Sequence, residues 1–155
     1  MTDQPKQVIE GLNALLADAT VFYQKLRHYH WNVAGPEFFT LHEKFELLYT
    51  AWADSIDQVA ERILMIGGTP LHTLASMLKA SRINEDETIP AAPEMVDALI
   101  ADMRSLRARA GEVMTLAEAA DDRGTTNLLD DLGDALEKEI WMLGAWQKAT
   151  IATWS

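Results

Sequence analysis

Apolar residues recur at three- and four-residue intervals through most of the chain, and strand-like alternation is absent. Residues at that spacing share one face of an α-helix, so the chain must fold as helices that each bury one stripe. Four stretches carry the pattern. The first runs from Val8 through Leu12, Phe22 and Leu26 to His30 and Val33 and is closed by Gly35-Pro36. The second is expected to begin at Thr40-Leu-His-Glu43, whose Ser/Thr-x-x-Glu spacing reads as a capping box, and to end at Gly67-Gly68 before Pro70. A third opens near Pro93, and a fourth follows Gly124-Thr-Thr. Residues 67 to 91 are too many for a tight turn, and Leu71, Leu74, Met77 and Leu78 predict a short helix inside them. Two short connections flanking one long crossover describe an all-α four-helix bundle, with a short extra helix in the crossover between helices 2 and 3.

The chain has 155 residues, which suits a single domain spanning 1–155. No window approaches eighteen consecutive apolar residues and the N-terminus lacks the pattern of a signal peptide, so no membrane span and a cytoplasmic location are expected. There is no cysteine, so any metal site must be built from His, Asp and Glu. A net charge of −11 disfavours phosphate backbones and attracts cations.

Ionisable residues on apolar faces carry the chemical information, because a buried charge is costly unless it is paired or metal-bound. At 100° per residue from His42, Glu46 falls at about 40°, Asp57 at about 60° and Glu61 at about 100°, one stripe of the second helix. Glu46 and Asp57 are nevertheless eleven residues apart, roughly 16 Å along a helix, so one ion cannot bridge them within a chain. The distance closes if two copies of the helix pack antiparallel across a two-fold axis, bringing His42 and Glu46 of one subunit against Asp57 and Glu61 of the other. An isologous interface would then make two equivalent sites, with His30 adding a second imidazole. Two His and three carboxylates suit ferrous iron, with Mn2+ or Zn2+ as competitors. Each element also has a plainer reading: His30 as a core histidine bonded to a backbone carbonyl, the i,i+4 pairs as ordinary surface spacing, and Glu43 as the partner of Thr40.

The segments HYHWNVAGPEFFTLHEKFELLY (28–49) and DQVAERILMIGGTPLHTL (57–74) closely resemble the Dps family of miniferritins, with looser similarity through IWML (140–143). The resemblance implies a ferritin-like bundle and an intersubunit ferroxidase site whose metal ligands are His30, His42, Glu46, Asp57 and Glu61. Many members carry Asp where this chain has Glu46. The resemblance further implies a homo-oligomer, a hollow dodecamer built from two-fold dimers, with iron as substrate, hydrogen peroxide as oxidant and ferric mineral stored inside. Trp31 matches an aromatic residue proposed in the family to quench stray oxidising equivalents; plain core packing is the other reading, for it and for Trp141. Asp121, Asp122, Asp130, Asp131 and Asp134 cluster where family pores are lined, although carboxylates near a helix N-terminus also favour the dipole.

Family members that compact DNA do so through a basic terminal tail, and this chain has none. Lys6 is the only basic residue before Lys25, and Lys148 the only one after Lys138. Arg104, Arg107 and Arg109 read as part of a solvated mixed face beside Asp102 and Glu112. DNA binding is therefore expected to be weak or absent.

Overall fold

The computed structural model describes the backbone of residues 3–154 and the side chains of residues 3–148, so the ends of the expected 1–155 domain lie outside the described residues. Five helices follow in order: α1 Asp3–Asn32, α2 Phe38–Met65, α3 Leu74–Ala80, α4 Ala92–Ala119 and α5 Arg123–Trp154. No strand occurs among the described residues. The all-α bundle and the short helix in the crossover are as the periodicity predicts.

Short links turn α1 back into α2 and α4 back into α5, and α1 packs broadly against α2 and α4, whereas α2 meets α5 only along a narrow strip. The stripes converge on one core in which Leu12, Phe22, Leu26, Tyr29, Phe45 and Ile63 are fully buried. Phe22 and Trp52 meet edge to face with centroids 5.3 Å apart, a preferred aromatic geometry. The short α3 is capped by Thr73, whose hydroxyl accepts from the Ser76 N–H.

The start of α2 departs from expectation. The helix begins at Phe38 with Glu37 at the N-cap position, and no side chain caps it. Thr40 and Glu43 are already inside the first turns, so the capping-box reading is corrected. The first turn is closed before Thr40 by the backbone, with Phe38 N–H donating to Gly35 O and Leu41 N–H to Glu37 O, and the Glu37 carboxylate accepts from the indole N–H of Trp146 at 3.4 Å. The other end of α2 follows the sequence: Gly67 at φ 91° and Gly68 close a Schellman motif, with Gly68 N–H donating to Ile63 O and Gly67 N–H to Leu64 O.

Polar pins cross the apolar core. Asp18, with no exposed surface, accepts from Arg109 Nε at 2.8 Å, Arg82 N–H at 2.7 Å and the Ser81 hydroxyl at 3.2 Å. Arg109 is thus a structural partner of a buried carboxylate and not part of a solvated face, which corrects the sequence reading. Arg107 does sit on the surface, paired with Glu137. Lys25 and Asp102 form a second buried pair at 2.8 Å; burial pushes the Asp102 carboxyl above its ordinary value despite the opposing pull of Lys25.

The acidic cluster divides by role. Asp121 ends α4 in the left-handed region at φ 53°. Asp122 accepts the Thr125 N–H and hydroxyl and pairs with Arg62 at 2.6 Å. Burial alone would raise the Asp122 carboxyl, but the Thr125 bonds and Arg62 outweigh it and hold it below its ordinary value. Asp130, Asp131 and Asp134 remain exposed on α5.

Candidate metal centre

The last turn of α1 and the first turns of α2 bring His30 and His42 together as stacked rings, with centroids 3.8 Å apart and planes within 15°. Each ring bonds the backbone of the other's residue. His30 Nδ1 lies 2.6 Å from His42 O, and His42 Nδ1 lies 2.7 Å from His30 O. A carbonyl only accepts, so both Nδ1 atoms carry a proton, and in the neutral ring Nε2 keeps the lone pair. A metal-ligating histidine is held in the same way, with one ring nitrogen donating to a carbonyl and the other left for the ion.

His30 is buried, so the plain reading of a core histidine bonded to a carbonyl is correct as far as Nδ1 goes. Its Nε2 faces Glu46 Oε1 at 3.6 Å, too long for a hydrogen bond. Phe38 stacks on His42 at 4.8 Å, and Tyr49 meets His30 edge-on at 5.3 Å. The neighbouring His28 is fully engaged elsewhere: Nε2 donates to Thr88 O, and Nδ1 accepts from Asn32. The HYH triplet therefore separates one structural histidine from one with an available nitrogen.

Between them, Tyr29 anchors the crossover by donating to Asp86 at 2.6 Å. Bonds from Thr88, then from Tyr29, lower the Asp86 carboxyl to about 2, and burial followed by Asp86 itself pushes the Tyr29 phenol far above its usual value.

Asp57 and Glu61 lie further along α2, both exposed, and separated from the imidazoles by the helical rise. Among the described residues of a single chain, no three His, Asp or Glu side chains converge to hold an ion. One chain stacks His30 on His42 and sets Glu46 3.6 Å from the His30 ring, without closing the three into an ion site, and it leaves Asp57 and Glu61 apart. The donor set is the N and O mixture that suits a transition metal, divided between the α1–α2 junction and the far part of α2. Trp31 is more than half exposed, with the Arg27 guanidinium 5.0 Å from its ring centre. Core packing is thus overturned for Trp31 within the chain, and likewise for the exposed Trp141. Phe38 and Tyr49 escaped the sequence reading. Phe38 stands four residues before His42, a spacing that becomes visible only once α2 is known to start before Thr40.

Comparison with known proteins agrees with the bundle. The sequence matches the Ferritin family, a ferritin-like domain, over residues 9–150. DNA protection during starvation protein 2 of Bacillus anthracis is 46% identical over 140 residues, covering 90% of this chain and 96% of that protein. The crystal structure of a Dps protein from Bacillus brevis superposes with a TM-score of 0.92 at 43% identity, covering 94% of this chain and 98% of that one. A Dps protein from Vibrio cholerae O1, described as a member of a broad superfamily of ferritin-like diiron-carboxylate proteins, gives 0.91 at 39% identity, covering 94% of this chain and 91% of that one. The four-helix bundle is therefore ferritin-like, with its histidine pair at the junction of the first two helices. The chain belongs to the Dps family.

Proposed function

We propose that the protein is a ferroxidase and iron store of the miniferritin kind, acting at a metal centre completed by two subunits. The observation that carries the reading is the reciprocal bonding of His30 and His42, which orients both rings through Nδ1 and leaves both Nε2 atoms free to bind, with that of His30 3.6 Å from the Glu46 carboxylate. The eleven-residue offset of Asp57 supports an antiparallel two-fold pairing of α2, in which the partner supplies the remaining two carboxylates. The Dps relationship supports a shell of twelve subunits with ferric mineral inside.

In this reading ferrous iron is the substrate, and the residues bind, orient and neutralise it. The imidazoles fix its position, and the carboxylates of Glu46, Asp57 and Glu61 offset the positive charge that grows on oxidation. Hydrogen peroxide accepts two electrons, so two ferrous ions and two protons give two ferric ions and two waters. Paired oxidation releases no hydroxyl radical, and this protects DNA without any contact with it. Trp31, next to His30 in sequence and exposed, would in this reading donate an electron when only one iron is present, the role that the Dps resemblance implies for it. Zn2+ or Mn2+ would compete for the same ligands. No helix among the described residues is long and apolar enough to cross a membrane, which is compatible with action in the cytoplasm.

The test loads metal-free protein with ferrous iron anaerobically and titrates with peroxide while following ferric absorbance, with an Asp57→Ala/Glu61→Ala variant alongside. Fast oxidation at about one peroxide per two irons, lost in the variant, is the expected result. Equal rates for both proteins and for protein-free buffer would refute the ferroxidase reading and favour a non-enzymatic helical oligomer.

A further inference from the structure

We propose that Phe38 is a positioning residue for the metal centre, acting as the second wall that fixes the His42 imidazole; the proposal rests on the reading of His42 as a ligand. Phe38 lies one helical turn before His42, with ring centroids 4.8 Å apart and planes within 19°. His30 stacks on the same imidazole at 3.8 Å and 15°. Two parallel rings cannot share one face of an imidazole at these separations, so they cover opposite faces.

The consequence is mechanical. The His42 Nδ1–H bond to His30 O sets which edge carries the lone pair, but a single bond leaves the ring able to swing or flip about its Cβ–Cγ axis. A flip exchanges Nδ1 with Cδ2 and Nε2 with Cε1, which turns the lone pair away from its former direction. A ring held between two planes cannot make that motion without displacing one of them. His30 is the firmer wall, because it is buried and met edge-on by Tyr49 in addition to its Nδ1 bond to His42 O. Phe38 is the remaining wall. It is half-buried and packed against the core, whereas the adjacent Phe39 is 84% exposed. Its backbone N–H is tied to Gly35 O at 3.1 Å at the head of the helix.

The experiment titrates the intact metal-free oligomer with Zn2+ by calorimetry, comparing wild type with Phe38→Leu, Phe38→Tyr and His42→Ala. Alongside, 15N spectra of the metal-free proteins at one fixed pH report the His42 ring environment. The expected result for Phe38→Leu is zinc affinity about tenfold weaker at unchanged stoichiometry, in the range seen when the surroundings of metal ligands are altered, with heterogeneous His42 ring signals. Phe38→Tyr, which keeps a stacking ring, should restore both. If Phe38→Leu does not assemble, Phe38→Met, of similar volume and without a ring, takes its place. Wild-type zinc affinity and a single set of His42 signals in the ring-less variant would overturn the proposal while leaving the metal centre intact. Equal zinc binding by wild type and His42→Ala would overturn both.

Discussion

Asp18 has no exposed surface and three donors aimed at it, and its cost and its value come from the same burial. Replacing it with Ala strands Arg109 and frees the Ser81–Arg82 corner of the crossover. Losing one partner of a buried pair costs about 3–5 kcal/mol, so chemical denaturation of Asp18→Ala should show a loss of that size, with the helical signal retained in native buffer. Asp86 makes the pH-dependent contribution. Its folded pKa of about 2 lies below the ordinary 3.8, so between those values the unfolded chain binds more protons and stability rises with pH. The contribution is complete above the upper value and disappears as pH falls through the lower one. Asp86→Asn should therefore be less stable than wild type near neutrality, and the gap should shrink across that acid window in urea titrations. The charge of these residues was legible in the sequence, but their partners were not. Nothing in the spacing of Arg104, Arg107 and Arg109 says that only the last turns inward, because that depends on where a carboxylate sits on α1.

Helix ends separate what local sequence determines from what tertiary contact decides. The end of α2 was legible because Gly67 and Gly68 supply the left-handed backbone and close approach that a Schellman motif requires. A Cβ on Gly68 would lie 2.7 Å from Ile9 Cγ2, so Gly68→Ala should overpack that contact and cost about 1–3 kcal/mol in thermal unfolding. The end of α4 repeats the motif, with Asp121 N–H donating to Glu118 O and Asp122 N–H to Ala117 O. Here the left-handed position is filled by Asp121, and a side chain in that conformation is penalised relative to glycine. Asp121→Gly should stabilise the protein by about 0.5–1 kcal/mol, read as a higher midpoint at unchanged denaturant slope. The start of α2 differs from expectation because Thr40-Leu-His-Glu43 satisfies the local rule, while the turn at Gly35 already starts the helix through Phe38 N–H to Gly35 O and Leu41 N–H to Glu37 O. The bundle itself was legible throughout, since each long helix writes its buried stripe directly into the apolar spacing.

At the scale of the whole molecule, a surface with net charge −11 and the Arg109 guanidinium withdrawn into the interior offers little to a phosphate backbone. Gel-shift assays at neutral pH should find no salt-sensitive retention of DNA, and tight retention would contradict that expectation. The candidate site was legible only as far as a set of candidate donors. The sequence placed five donors on helices, but the mutual bonding of the imidazoles depends on how α1 and α2 meet. The division of the donors between the α1–α2 junction and the far part of α2 has a further consequence for the proposed assembly. A chain that carries both halves of a site but cannot close them on itself makes metal affinity a function of its own concentration. Ion and partner then bind cooperatively by linkage, each raising the apparent affinity for the other by the same factor. Dilution should weaken metal binding at the proposed centre, and metal should hold the pairs together against dilution, so the protein would sense its own abundance through the bound ion.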